Sequence, residues 1–205
     1  FDIIVKGKGG HAASPHLSID PVVISAQVIS SVQTIISRST DPVDKALISI
    51  TKINAGTAYN VIDDQVKMGG TIRTFKKETR KFIEKRLNEL CNGIAEAYGA
   101  EIKIQFDLIN KYPPTINSKK ESIFAGNVAK KLVGEDKVIT DIDPSMGGED
   151  FSYLLEEKPG TYLYLGQGDD NHKAHLHTSK YDFNDNILPI GVNFWVDLVK
   201  KYFSK

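Results

Sequence analysis

The sequence predicts an α/β chain of the α+β kind, built in two parts, and three observations carry the prediction. Residues 1–110 spell strand, helix, strand, strand, helix, strand in that order. The proline-bearing stretch Asn110-Lys111-Tyr112-Pro113-Pro114-Thr115 then breaks the pattern as a linker. Beyond it, residues 111–205 offer helices and only two short strands, a thin core for so long a segment.

Each element has its own reason. Residues 1–8 alternate as a strand that stops at Gly9-Gly10. Asp20 can cap a helix with Pro21 in its first turn, where the missing N–H costs nothing. Val22, Ala26, Ile29, Val32 and Ile36 fall close to one face of that helix. The segment is rich in β-branched residues, but its length favours helix over strand. Residues 46–53 and 65–74 read as strands on either side of the turn-rich Asn54-Ala55-Gly56-Thr57. A second helix repeats Ile83, Leu87, Leu90, Ile94 and Tyr98 at threes and fours and stops at Gly99. Residues 101–108 alternate as a fourth strand. This β-α-β-β-α-β order is the ferredoxin-like arrangement, an antiparallel sheet with both helices on one face.

In the second part, Ser118-Lys119-Lys120-Glu121 is a capping box opening a helix to about Val133, closed by Gly134. A short strand is expected near Val138, another over 161–165, and a last helix from Ile187 that buries Leu188, Val192, Trp195, Leu198 and Tyr202. Such a set of elements belongs against a sheet that the chain does not contain.

Composition excludes several functions. Among 205 residues, 26 Lys and Arg balance 26 Asp and Glu. Nucleic-acid surfaces need a basic excess, and the scattered aromatics form no stacking platform for bases. No apolar run approaches the ~20 residues of a membrane span. The lone Cys91 cannot form an internal disulfide, which fits a cytoplasmic protein, and its place on a helix flank reads as a small buried hydrophobe. The strand that begins at once at Phe1 suggests further polypeptide upstream.

Candidate chemistry lies in loops and at strand ends. His11 and His16 form one histidine cluster, and His172, His175 and His177 another, the latter following the acidic pair Glu149-Asp150. Imidazole and carboxylate are natural ligands of zinc or manganese, although an isolated histidine is more often a plain hydrogen-bonded residue. Gly9-Gly10-His11 sets a histidine where the backbone can approach closely. Arg73 ends a strand, and its planar fork suits a bidentate grip on a carboxylate; Asn60 offers an amide on the preceding loop. An exposed arginine and a turn asparagine are the plain alternatives.

Several segments together resemble the aminoacylase, hippurate hydrolase and auxin-conjugate amidohydrolase family of dinuclear-metal peptidases. They are Gly7-Lys8-Gly9-Gly10-His11-Ala12-Ala13-Ser14-Pro15-His16 with Asp20-Pro21, Asn60-Val61-Ile62, Gly70-Thr71-Ile72-Arg73, Pro113-Pro114-Thr115, Met146-Gly147-Gly148-Glu149-Asp150-Phe151 and His177 before Tyr181. They occur in family order across nearly the whole chain. The resemblance implies a lid and dimerisation domain over 1–110 and, over 111–205, the closing segment of a zinc-peptidase-like catalytic domain. It implies hydrolysis of N-acyl amino acids by two divalent metal ions, zinc or manganese, that activate a bridging water.

By that resemblance, His11 is catalytic: it reaches the active site of a twofold mate and steadies the tetrahedral oxyanion, a role worth ~3 kcal/mol. Asn60, Arg73, Gly148 and Glu149 match substrate-binding positions, and His177 matches the last metal ligand. All are expected to meet in one cleft. Two departures fall in loops: Asp63 stands where the family has proline, and Thr178-Ser179 replaces its usual Ser-Pro. The family's upstream half, which holds its other ligands and the general-base glutamate, has no counterpart here. The chain is therefore expected to be inactive without that half. A non-catalytic dimerisation module is the alternative.

Overall fold

The computed structural model describes residues 1–107 and 112–204, which fall into two compact units, Phe1–Pro114 and Thr115–Lys205. No helix among the described residues is long and apolar enough to cross a membrane.

The first unit runs β1 (Asp2–Lys6), β2 (Gly10–His11), α1 (Pro21–Thr34), β3 (Ala46–Asn54), β4 (Val61–Ile62), β5 (Gln65–Thr74), α2 (Lys77–Tyr98) and β6 (Glu101–Gln105). Its main sheet has the order β3-β5-β1-β6, and every neighbouring pair is antiparallel. The small β2–β4 ladder stands outside that sheet. Residues 108–111, including the end of the expected fourth strand and the start of the linker, lie outside the described residues.

Strand periodicity decides the core. Val5 sits opposite Val66 on one side and Ile102 on the other, and Ile3 opposite Met68 and Ile104. Alternate residues share a face, so these apolar side chains pack together with Ile24, Val28 and Val32 of α1 and Ile83, Leu87 and Cys91 of α2. Removing each from water contributes about 1.5–3 kcal/mol. On the opposite face the polar alternates remain, Lys67 beside Ile4 and Arg73 beside Leu47.

The two helices differ in how far the sequence told their faces. In α2, charged residues leave one apolar face open, and Ile83 and Leu87 are buried with Leu90 and Ile94 partly so; Tyr98 is exposed. Gly99 ends the helix at φ 65° with its N–H on the carbonyls of Ala95 and Glu96. In α1 the expected face is corrected in part: Val32 is buried and Ile29 and Ile36 pack against the core as expected, but the fully buried side also takes Pro21, Ile24, Ser25 and Val28, while Val22 and Ala26 are exposed. This helix carries no charged side chain to mark its outer face, so spacing allowed two faces. Ser25 can be buried because its hydroxyl donates to the Pro21 carbonyl at 2.7 Å. The helix continues into a π turn, Ile35–Ser39, which buries Ile35 instead of Ile36. Asp20 caps the start as expected, accepting the N–H of Val22 at 2.8 Å.

Burial raises the Cys91 thiol to about 11, so almost none of it is thiolate at neutral pH. We expect iodoacetamide to leave Cys91 unmodified in the folded chain and to label it fully in denaturant, read by mass spectrometry.

The second unit contains α3 (Lys119–Val133), α4 (Phe151–Glu157) and α5 (Leu188–Phe203). α3 packs on α5, with Phe124 edge-on to Tyr202 at 6.1 Å. Three expectations are corrected here. No strand forms near Val138, where a short 3-10 turn, Glu135–Lys137, stands, nor over 161–165. A strand needs a ladder partner, and in its place the Asn117 side chain brackets Tyr162, accepting its N–H at 2.7 Å and donating to its carbonyl at 2.9 Å. The Ser118 hydroxyl does not cap α3; it accepts the N–H of Gly160 at 3.2 Å. Finally, no residue of α5 is fully buried: Leu188, Val192, Trp195 and Tyr202 are exposed and Leu198 is half-buried, because α3 covers only part of the helix.

Candidate functional site

His11 is set by close backbone approaches that only glycine allows. A Cβ on Gly7 would lie 2.0 Å from the Ile19 carbonyl oxygen, and one on Gly9 2.7 Å from that of Ile62. The Gly9 N–H is held by the Asp64 carboxylate at 2.8 Å, and the Gly7 N–H by the Asp64 carbonyl at 2.9 Å. The strand then pairs Gly10 with Ile62 and His11 with Val61. The Ala12 N–H donates to the Asn60 carbonyl at 3.0 Å, so the turn residue Asn60, just before β4, lies beside the end of the ladder that carries His11, and both residues are exposed. The Ala13 N–H donates to His11 Nδ1 at 3.0 Å. Asp63, the departure from the family pattern, accepts from the Thr57 hydroxyl at 2.9 Å and so ties this loop.

Arg73 is not with them. It lies on β5 opposite Leu47, while the end of β5 nearest His11 is Gln65, paired with Lys6. Arg73 is eight residue steps along the strand from Gln65, about 26 Å at ~3.3 Å per residue. Within one chain, then, the structure brings His11 and Asn60 together and leaves Arg73 at the far end of the sheet.

In the second unit, Gly148 is exposed in the loop before α4. Glu149 accepts the Tyr162 hydroxyl at 3.0 Å and the Phe151 N–H at 3.4 Å. The Tyr162 hydrogen bond, followed by one from Asp150, holds the Glu149 carboxyl below its ordinary value. Because the folded carboxylate gives up its proton more readily than the unfolded one, this stabilisation is complete above the unfolded group's range. It is lost as the pH falls through the lowered folded value. We expect Tyr162→Phe to lessen that acid-side dependence, seen as a flatter fall in melting temperature below pH 5 than the parent chain shows (the carboxylate range, about 4).

His177 is exposed, and its φ of 61° is the sole left-handed value among the described non-glycine residues. The turn around it is closed by the Thr178 hydroxyl on the His175 carbonyl at 2.8 Å and by the Tyr181 N–H on the Thr178 carbonyl at 3.1 Å. Upstream, Asp169 accepts from His172 Nδ1 at 2.7 Å and from the Asn184 amide at 3.0 Å. Buried Asn184 also donates to the Gln167 carbonyl at 3.0 Å, which pins both ends of the histidine loop. His16 and His175 are exposed. Among the described residues no group of three His, Cys, Asp or Glu side chains is placed to hold a metal ion. A metal site is thus incomplete on these residues, and His177 can supply one ligand at most.

Sequence reasoning missed Asp64, Tyr162, Asp169 and Asn184, which hold the candidate side chains in place. Their only signal was proximity in the chain to the glycine and histidine motifs.

The sequence profile described as Peptidase family M20/M25/M40 matches residues 4–201. The chain is 36% identical over 204 residues to hippurate hydrolase of Campylobacter jejuni, covering 100% of this chain and 52% of that protein. It is 34% identical to N-acetylcysteine deacetylase of Bacillus subtilis, covering 97% of this chain and 50% of that protein. The crystal structure of a dinuclear metal binding peptidase of the M20 family from Bacillus subtilis superposes with a TM-score of 0.71 at 29% identity, over 98% of this chain and 48% of that one. The chain spans about half the length of the curated relatives it matches.

Proposed function

From the premise that this chain belongs to peptidase family M20/M25/M40, we propose that it is one half of a metal-dependent amidohydrolase that cleaves the amide bond of N-acyl amino acids. The observation that carries the reading is the β2–β4 ladder that holds His11 next to the Asn60 turn. Gly7, Gly9 and Asp64 fix it, and both side chains are left exposed. Relatives named for hippurate and N-acetylcysteine support the substrate class.

In this reading, residues 1–110 form the lid and dimerisation domain, and 111–205 the closing part of the catalytic domain. The exposed apolar residues of α5, among them Val192 and Trp195, take the sheet of the missing half. Two divalent ions, zinc or manganese, held mostly by that half with His177 as one ligand, would supply a metal-activated water. What this chain adds is binding and orientation. His11 donates a hydrogen bond to the oxyanion, Arg73 grips the α-carboxylate, and Asn60 and the Gly148-Glu149 loop hold neighbouring polar groups.

The separation of Arg73 from His11 favours a homodimer, in which one chain lends His11 and Asn60 and its mate supplies Arg73. β3 is an edge of the main sheet, and its last residues, Lys52, Ile53 and Asn54, are exposed for such pairing. We assign the enzyme to the cytoplasm on the strength of its single free thiol.

The test is complementation. The chain is mixed with the half of the Campylobacter hippurate hydrolase that it does not cover, and zinc or manganese is added. Metal-dependent release of glycine from hippurate is expected. A mixture that associates, as shown by sedimentation, yet releases none overturns the reading.

A further inference from the structure

We infer that Ala13 is a positioning residue for His11: its main-chain N–H, 3.0 Å from Nδ1, holds the imidazole in the tautomer whose proton sits on Nε2. A neutral imidazole has one N–H and one lone pair, so a donor aimed at Nδ1 requires the lone pair there. The outer ring atom, Nε2, is then left as an N–H donor on an exposed side chain.

The donor is fixed by backbone on both sides. The Ala12 N–H is held by the Asn60 carbonyl at 3.0 Å, and the Ser14 N–H by the His11 carbonyl at 2.8 Å, so the intervening amide cannot turn away without breaking the β2–β4 ladder or this turn. Among the described residues no carboxylate stands within hydrogen-bonding distance of either ring nitrogen of His11. His172 is the opposite case in the same chain: its Nδ1 faces the Asp169 carboxylate at 2.7 Å and must carry a proton.

The tautomer stands on this geometry alone; its role rests on the amidohydrolase reading. There, His11 gives a hydrogen bond from Nε2 to the oxygen that gains negative charge. No proton leaves the ring and no bond to it forms or breaks. Its contribution is a donor already aimed before the charge appears.

The experiment is a long-range proton–nitrogen correlation on the uniformly 15N-labelled chain at mildly alkaline pH. For His11 we expect an unprotonated Nδ1, a protonated Nε2, and a coupling across the hydrogen bond to the Ala13 nitrogen. His172 should show the reverse pattern and serve as internal control. A His11 proton on Nδ1, or rapid averaging between the two nitrogens, overturns the inference. In Ala13→Pro, which has no N–H, His11 should revert to averaged shifts while His172 keeps its own; unchanged His11 shifts overturn the inference. If that variant does not fold, the parent spectrum decides.

The role is read separately in the complemented enzyme. The amide nitrogen of His11→Gln can reach the Nε2 position, whereas that of His11→Asn stays near Nδ1. His11→Gln should retain about tenfold more kcat than His11→Asn, a partial rescue by a neutral amide donor. Equal rates would overturn the Nε2 donor role while leaving the amidohydrolase reading intact. A mixture inactive even with the parent chain counts against that reading, and the spectra still decide the tautomer.

Discussion

His11→Ala lowers kcat of the complemented amidohydrolase by about 10²- to 10³-fold, with far less effect on KM. The expectation follows from where the side chain sits. The β2–β4 ladder, the Asp64 bond to Gly9 and the bond from Ala13 fix the imidazole through the backbone, so removing it leaves the scaffold intact and deletes one donor. A hydrogen bond made more strongly in the transition state than in the bound substrate appears in kcat. Steady-state rates of glycine release, with circular dichroism to confirm an unchanged fold, make the comparison. A loss confined to KM would show that His11 holds substrate and transition state alike, and would remove it from the catalytic role.

The second large effect concerns the fold. Leu87 of α2 is completely buried beneath the main sheet, in one cluster with Val28, Val66 and Ile83. Leu87→Ala deletes its apolar contacts and leaves a void that rigid neighbours only partly fill, which costs about 2–5 kcal/mol. Leu90 is only partly buried against the same cluster, and Leu90→Ala should cost clearly less. Urea unfolding of the two variants tests this, with the midpoint falling at unchanged slope. Equal shifts for both would show that α2 does not seat on the sheet through the face described.

How much of this was legible beforehand depended on whether the sequence offered one answer or two. In α2, charged residues mark one side so clearly that the apolar face is unambiguous, and burial of Ile83 and Leu87 followed. In α1 no such contrast exists, and the face was set by the sheet below it instead of by any local signal. Residues 161–165 look like a strand in isolation, yet a strand is a relation between two segments, and the described residues hold no partner. Likewise the burial expected for Trp195 was read from apolar spacing, which reports what a helix can bury and not whether anything is there to bury it.

The candidate site divides in the same way. The glycines around His11 announced a close backbone approach, and the structure gives each a specific obstacle. That the Asn60 turn would lie beside His11 was a tertiary fact without a local signal, and so was the distance of Arg73, which requires knowing which way β5 runs. The sequence also named Glu149 but not Tyr162, whose hydroxyl occupies one of its oxygens.

The bare side of α5 also equips the molecule with its own optical reporter. Trp195 is the chain's one tryptophan and is 63% exposed there, so its fluorescence should be red-shifted and readily quenched by iodide when the chain is alone. Binding of the complementary half over that helix would blue-shift the emission and shield it from quencher. Assembly could then be titrated in solution, with no attached dye, before any substrate is added.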